Sequence, residues 1–295
     1  MAIHRVLLGL LLVLIAASAA PAQISPDSGK DVDTLILIDG VTTDRWEAVE
    51  GTLTRAIRDG FRVARFYVPV DWTAGEPDYP VGWPRLQPSL TEDERDWTRW
   101  EQIRIVVYAE TTRDALPRLP LGISINTGEQ NANWSRECEG LRKDEWGEFV
   151  FDLADLPLPD QVRSLSLYIS DSEYRHGDTV TFSISRLELM RYRKPTLIGF
   201  RPVARIAFAD EQVLGLTVRM LGIPTDATAP VEVLLTRGDG TLARHVTEVA
   251  QGTTRIAFPL PQGLAPATYS LVVSAAGRAL SDTVQLVPSP WQKGE

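Results

Sequence analysis

The chain has 295 residues, 44% of them hydrophobic, and carries a formal net charge of −9 with a single cysteine. The negative charge argues against nucleic acid or an anionic membrane surface as a partner, because both select for clusters of Lys and Arg. One cysteine excludes an intramolecular disulfide, so the domains have to be stabilised by their hydrophobic cores.

Residues 1–22 have the pattern of a secretory signal peptide. A weakly basic start precedes an unbroken apolar stretch at residues 6–17, and Ala20-Pro21-Ala22 is a small-residue cleavage site. The apolar stretch is too short to cross a bilayer comfortably, and no other segment approaches the necessary length. We therefore expect an exported protein without membrane insertion, in which residues 23–33 form a flexible leader.

Residues 34–194 consist of short segments in which apolar and polar residues alternate. Such alternation is typical of β-strands that bury one face. In the last segment the alternation shifts between Ile184 and Leu187, which predicts a β-bulge near Ser185. The clearest of the predicted strands are residues 34–38, 96–108, 122–127, 146–153, 165–169 and 180–189.

Residues 195–291 form a second module of the same kind, after a boundary at Arg193-Lys194-Pro195. Turn signals separate its segments at a regular spacing, as in β-sandwiches. Amphipathic helical periodicity is not sustained in either module, so both are predicted to be all-β. The predicted strands are residues 203–208, 214–221, 231–236, 242–249, 254–258, 269–274 and 283–287.

The order of strands in residues 34–194 resembles the galactose-binding-like jelly-roll of carbohydrate-binding modules that accompany secreted glycan-degrading enzymes. Residues 195–291 resemble immunoglobulin-like or macroglobulin-type sandwiches, in which Pro-Gly-x-Tyr leads into the last strands much as Pro266-Ala-Thr-Tyr269 does here. The resemblance implies two tandem β-sandwiches, a jelly-roll followed by an immunoglobulin-like domain. For the first of them it implies polysaccharide binding.

Aromatic residues are the candidates for sugar contacts. A sugar ring has an apolar C–H face and polar hydroxyl groups, so its site needs flat aromatic surface and a few fixed donors and acceptors. Residues 71–83 are unusually aromatic for a turn, and outward strand positions carry further tyrosines, which together could line one sheet face. The candidate ligand-binding residues are Trp72, Tyr79, Trp83, Tyr67, Tyr108, Asn126, Tyr168 and Arg104.

Two alternatives are open for these aromatic residues. The tryptophans at 72 and 83 could plug the end of the barrel, and the tyrosines could only pack against neighbouring strands. A further set of tryptophans lies at strand starts with apolar neighbours and is expected in the core. This set consists of Trp46, Trp97, Trp100 and Trp146.

The resemblance also implies a structural calcium ion in many such modules, bound where the first and last strands meet. Asp39 and Glu188 are the positions that would match its carboxylate ligands. The last strand reads Ile184-Ser-Arg186 where the commoner pattern has Ile-Asp.

No catalytic motif is visible. After signal cleavage only His176 and His245 remain, without a nucleophile at motif spacing, and Cys138 lies in a polar stretch at residues 133–144. Arg237-Gly-Asp239 precedes a glycine between two predicted strands and indicates a hairpin turn.

We therefore expect a secreted, non-catalytic protein that binds polysaccharide. One alternative is a structural or protein-interaction protein of the cell envelope. The other is the N-terminal accessory region of a larger glycoside hydrolase or polysaccharide lyase, in which case the partner would be a catalytic domain.

Overall fold

β-Strands account for almost all regular structure in the residues that the computed structural model describes, which are 31–73, 83–170 and 173–291. The prediction of an all-β chain is confirmed. Three short 3-10 helices, Thr43–Arg45, Glu92–Glu94 and Pro159–Gln161, lie between strands. No helix in these ranges is long and apolar enough to cross a membrane. The predicted signal peptide lies outside the described residues.

The described residues of the first module form eleven strands in two sheets. The six-stranded sheet has the order β3-β4-β11-β6-β9, with β1 also paired to β11, and the five-stranded sheet has the order β2-β5-β10-β7-β8. The strands are β1 Val32–Asp39, β2 Trp46–Val49, β3 Thr52–Arg58, β4 Phe61–Pro69, β5 Arg85–Pro88, β6 Gln102–Thr111, β7 Gly122–Thr127, β8 Ala132–Glu137, β9 Trp146–Asp152, β10 Val162–Tyr168 and β11 Thr179–Tyr192.

The two sheets pack through the apolar side of each alternating strand, as the sequence predicts. Ile105 of β6, Ile123 of β7 and Leu167 of β10 are fully buried in one hydrophobic cluster. The predicted β-bulge is confirmed by a register shift between Ile184 and Arg186. Before this bulge β11 pairs with β4, and after it β11 pairs with β1.

Two local expectations for the first module are corrected. Part of the stretch expected to be a polar loop is strand β8, and Cys138 at its end is fully buried. Burial raises the pKa of the Cys138 thiol, so the thiol is unreactive. Trp46, Trp97 and Trp100 are buried as expected, whereas Trp146 is half-buried on the outer face of the six-stranded sheet.

The second module has a separate hydrophobic cluster. A three-stranded sheet, β12-β14-β17, faces a five-stranded sheet, β13-β19-β18-β15-β16, in which β13 runs parallel to β19. Gly238, with φ 57°, lies in the hairpin turn that Arg237-Gly-Asp239 predicts. The strands are β12 Thr196–Pro202, β13 Ile206–Phe208, β14 Val213–Leu221, β15 Ala229–Arg237, β16 Gly240–Val249, β17 Gly252–Pro259, β18 Ala267–Ala275 and β19 Arg278–Val287.

Glu101 connects the two modules. Its carboxylate accepts hydrogen bonds from the backbone N–H groups of Tyr192, at 2.7 Å, and Gly222, at 2.8 Å, and from the side-chain amide of Gln251. Gly222 has φ 74°, and a Cβ at this position would overlap the backbone carbonyl of Lys194. Arg219 of the second module also forms an ion pair with Asp152 of the first, so polar groups of both modules meet at close range.

Candidate functional site

The predicted ligand-binding residues lie on two different surfaces. Tyr67, Tyr108 and Arg104 are on the outer face of the six-stranded sheet, whereas Asn126 and Tyr168 are on the outer face of the five-stranded sheet. Because the sheets pack through their inner faces, these two surfaces point in opposite directions. The expectation that all five side chains line one sheet face is therefore wrong.

Arg104 is the partner of a buried carboxylate. Its Nε lies 2.7 Å from Oε1 of Glu188, which is fully buried, and the Arg104 side chain is only 15% exposed. Arg104 also lies 3.5 Å from Glu148, and Arg186 lies 3.7 Å from the second oxygen of Glu188. Since a buried carboxylate needs a compensating charge, this arrangement gives Arg104 a structural role.

The two predicted calcium ligands are both engaged by the protein. Asp39 Oδ1 accepts hydrogen bonds from the N–H groups of Val41, at 2.7 Å, and Thr42, at 2.8 Å. Burial raises the pKa of Asp39, but these hydrogen bonds outweigh it, so the pKa is below its usual value. Glu188 is hydrogen-bonded by Arg104, and Arg186 lies 3.7 Å from its second oxygen, so two positive charges next to this carboxylate oppose a cation. In the described ranges no group of three or more His, Cys, Asp or Glu side chains is arranged to hold a metal. This donor set does not fit calcium.

The Tyr108 ring is covered by other side chains. The guanidinium of Arg58 lies 3.9 Å from its centroid, and the Trp146 ring meets it edge-on at 5.5 Å. Phe61 packs on Trp146 at 5.7 Å, and the Trp146 indole N–H donates to Asp59 at 2.9 Å. The β3-β4 hairpin therefore closes over Tyr108, in agreement with the packing alternative.

The Tyr168 ring, by contrast, lies across a glycine. Gly122 of β7 is its partner in the sheet register, and a Cβ there would lie 2.7 Å from Cε1 of the ring. Because glycine leaves this space open, the ring rests on the sheet surface. The Tyr168 hydroxyl donates to Glu137 of β8 at 2.7 Å. Three neighbouring strands thus fix the position of one half-buried aromatic ring.

Trp83 extends this aromatic surface. Its ring centroid lies 6.2 Å from that of Tyr168 with an angle of 61° between the planes, and the indole is 41% exposed. The guanidinium of Arg85 lies 4.7 Å from the Trp83 ring centroid and donates to the Trp83 carbonyl at 3.2 Å. An exposed indole and a fixed tyrosine ring therefore form a corner on the five-stranded sheet.

A polar row crosses the same sheet next to the aromatic corner. Ser124 and Ser166 occupy its middle and are buried, while Gln87 and Asn133 flank them. Gln87 donates to Ser166 at 3.2 Å, and Asn133 donates to Ser124 at 2.8 Å and to Asn126 at 3.0 Å. This part of the sheet therefore has small residues in the middle, longer amides on both sides, and hydrogen-bonding groups whose positions are fixed.

The electrostatics of the corner keep Tyr168 neutral. Burial raises the pKa of the Tyr168 hydroxyl, and the hydrogen bond and charge of Glu137 raise it further. Burial raises the pKa of Glu137 as well, although the hydrogen bond from Tyr168 opposes this, and the charge of Glu173 adds to the increase. Tyr168 therefore remains a hydrogen-bond donor to Glu137 at neutral pH.

Trp72 lies apart from this surface. It is 47% exposed, its backbone N–H donates to His176 Nδ1 at 3.2 Å, and its ring is 6.3 Å from the His176 ring. The exposure of Trp72 and Trp83 argues against the alternative in which they plug the barrel. Tyr79, the third predicted aromatic residue of this segment, lies outside the described residues.

Seven residues of this surface are not among the candidates from the sequence: Arg85, Gln87, Gly122, Ser124, Asn133, Glu137 and Ser166. Two signals in the sequence point to this surface. Alternation in Asn133-Trp-Ser-Arg-Glu137 places polar side chains on one face of a strand, and Pro84 directly precedes Arg85-Leu-Gln87, the segment that forms β5.

Comparisons with known proteins assign no family. No model of a known protein family and no curated protein matches the chain. Among solved structures, the CBM22-1-CBM22-2 tandem domain of Paenibacillus barcinonensis Xyn10C has a TM-score of 0.35 and 12% identity, over 89% of this chain and 87% of that chain. A non-crystalline cellulose specific carbohydrate-binding module, CBM28, has a TM-score of 0.34 and 12% identity, over 50% of this chain and 88% of that chain.

The glycoside hydrolase domain of Endo-D from Streptococcus pneumoniae R6 has a TM-score of 0.28 and 14% identity over 81% of this chain. The present chain spans 37% of that domain. At these TM-scores the matches assign neither a ligand nor an activity to this chain.

Proposed function

We propose that this protein is a secreted, non-catalytic carbohydrate-binding protein whose site is the outer face of the five-stranded sheet in the first module. The observation that carries the proposal is the Tyr168 ring, which Gly122 and Glu137 fix on the sheet beside the exposed indole of Trp83. A preformed aromatic surface of this kind suits the apolar face of a sugar ring.

The polar row beside the corner supplies the second requirement of a sugar site. From Tyr168 to Ser164 the surface spans five residues of β10, and the four steps between them amount to about 13 Å at the usual rise of a strand. Hydroxyl and amide groups along this length offer both donors and acceptors. A short stretch of polysaccharide would stack on the corner and form hydrogen bonds along the row.

We infer that the second module is an immunoglobulin-like spacer. Three strands face five, and Tyr269 near the start of β18 donates its hydroxyl hydrogen bond to the carbonyl of Ala265 at 2.7 Å. A buried tyrosine that bonds back to the preceding corner is a known feature of immunoglobulin-like sandwiches. The polar contacts of Glu101 would hold this spacer against the first module.

The proposal is tested by glycan-array screening of the full chain, followed by calorimetric titration with a glycan that binds. Tyr168→Ala and Trp83→Ala should each weaken binding by about 1–3 kcal/mol, a factor of about 5–150 in Kd. Tyr67→Ala, on the opposite face, is the matched control and should bind as the wild type. Added salt should change the affinity little, because stacking involves few exposed charges.

Three results would contradict the proposal. Normal binding by the Tyr168 and Trp83 variants, with loss in Trp72→Ala or Tyr108→Ala, would move the site to another surface. Failure to bind any glycan would favour the cell-envelope alternative. A release of reducing sugar that one carboxylate substitution abolishes would show that the protein is an enzyme.

A further inference from the structure

A polar cleft of about 550 Å³ lies at a different place in the first module. The start of β1, the end of β11 and the turn before β6 form its wall, and it shares no residue with the Tyr168 surface. Its volume is in the range of small-ligand sites. The charged and aromatic residues that line it are Asp33, Arg99, Trp100, Arg191 and Arg193.

The cleft carries an excess of positive charge in an acidic protein. Its one carboxylate, Asp33, is paired with Arg193 at 2.7 Å. Neither Arg99 nor Arg191 has an ion pair within the part of the chain that the structure describes. The whole chain has a formal net charge of −9, so a cleft lined by three arginines and one aspartate is a local reversal of the overall field.

Arg99 is positioned by an aromatic ring. Its guanidinium carbon lies 4.7 Å from the centroid of Trp100, whose side chain is buried. The nearby carboxylate of Asp96 accepts hydrogen bonds from the N–H and hydroxyl groups of Thr98, at 2.9 and 2.6 Å. These bonds, and to a smaller extent the charge of Arg99, lower the pKa of Asp96. Stacking therefore orients Arg99 while its N–H donors remain available to a ligand.

We propose that this cleft binds the carboxylate or sulfate group of an acidic saccharide. Guanidinium groups bind planar and tetrahedral oxyanions through paired hydrogen bonds, and two of them can share one anionic group. This inference rests on the proposed function in one respect, namely that the ligand carrying the anionic group is a glycan. The cleft would add selectivity for acidic polymers to a surface that stacks neutral sugar rings.

The test uses the full chain in calorimetric titrations with an oligogalacturonate, a sulfated oligosaccharide, a neutral oligosaccharide and inorganic sulfate. Arg99→Gln and Arg191→Gln should each weaken binding of the acidic saccharide by about tenfold, since each removes a charged hydrogen-bond donor. The double variant should lose this binding. Arg255→Gln, an exposed residue of β17, makes the same change in net charge and should have no effect. Added salt should weaken the binding.

The outcomes separate this proposal from the preceding one. Loss of acidic saccharide in the arginine variants, with unchanged binding in Tyr168→Ala, supports the cleft. The carboxylated and sulfated ligands show which anion it takes. Equal binding by the double variant and the wild type, or binding of inorganic sulfate alone, would overturn it. Loss of binding only in Tyr168→Ala would overturn the cleft while supporting the sheet surface. Neutral saccharide binding depends on the sheet surface alone.

Discussion

Replacing Arg104 tests whether this residue serves stability, as the structure indicates, or ligand binding, as the sequence suggested. In Arg104→Met the buried carboxylate of Glu188 would lose its nearest charge, while the methionine would still cover the same apolar surface. Breaking one side of a buried pair costs about 3–5 kcal/mol. Because Arg186 remains 3.7 Å from Glu188, we expect the lower end, about 3 kcal/mol.

Urea denaturation followed by tryptophan fluorescence measures this loss in the intact chain. All tryptophans except Trp291 precede residue 195, so the signal reports mainly on the first module. This selectivity matters because a chain of two modules need not unfold in one transition. Arg186→Met is the matched control, since Arg186 is 48% exposed and should contribute less than about 1 kcal/mol.

A second variant shows whether the cost comes from the unpaired charge. In the double variant Arg104→Met/Glu188→Leu, the buried carboxylate is removed together with its partner, and most of the lost stability should return. Glycan binding should be unchanged in both variants. A loss of stability below about 1 kcal/mol in Arg104→Met, accompanied by weaker glycan binding, would refute the structural role.

Three further predictions concern other parts of the molecule. Gly122→Ala should weaken glycan binding as much as Tyr168→Ala does, because a Cβ at position 122 overlaps the Tyr168 ring. Gly199→Ala is the control and should bind normally, because the space around Gly199 is open. Glu101→Ala combined with Arg219→Ala should broaden the distance distribution in small-angle X-ray scattering, because the hydrogen bonds of Glu101 to the second module and the ion pair of Arg219 with Asp152 are lost. An unchanged curve would contradict this. The hydrogen bond from Arg45 lowers the pKa of Glu94 below its usual value of 4.5. The Arg45–Glu94 pair should therefore stabilise the fold above pH 4.5, and this stabilisation should be lost as the pH falls below 4.5. Acid titration of Glu94→Gln should then show a smaller loss of stability than that of the wild type.

Strands with several buried residues were predictable from the sequence, and short strands were not. β14, predicted at residues 214–221, spans Val213–Leu221, because alternating apolar residues define its period. β5 and β8 each contribute a single fully buried side chain, Leu86 and Trp134, and one apolar residue defines no period. These two strands carry Arg85, Gln87, Asn133 and Glu137, so this part of the surface could not be found from the period of apolar residues.

The outward direction of the tyrosines was predictable, but their sheet membership was not. Alternation fixes which side of a strand a residue occupies. It does not show which strands pair, because pairing depends on contacts between distant segments. Arg104 and Glu188 are 84 residues apart in sequence, and only the pairing of β6 with β11 brings them together.

Tyr108 and Tyr168 show how neighbouring residues decide the use of an outward aromatic side chain. Both occupy outer faces of central strands, and each has a cation–aromatic or aromatic neighbour. Both rings are half-buried, but around Tyr108 the β3-β4 hairpin brings the guanidinium of Arg58 over the ring, 3.9 Å from its centroid. Beneath Tyr168 a glycine leaves room for the ring to lie on the sheet, and no strand folds over it in the described residues. Free energy from further burial is available only where a ring surface is still exposed. A sugar ring can therefore stack on Tyr168, whereas at Tyr108 the guanidinium of Arg58 occupies the stacking position, although the two residues have the same alternation in the sequence.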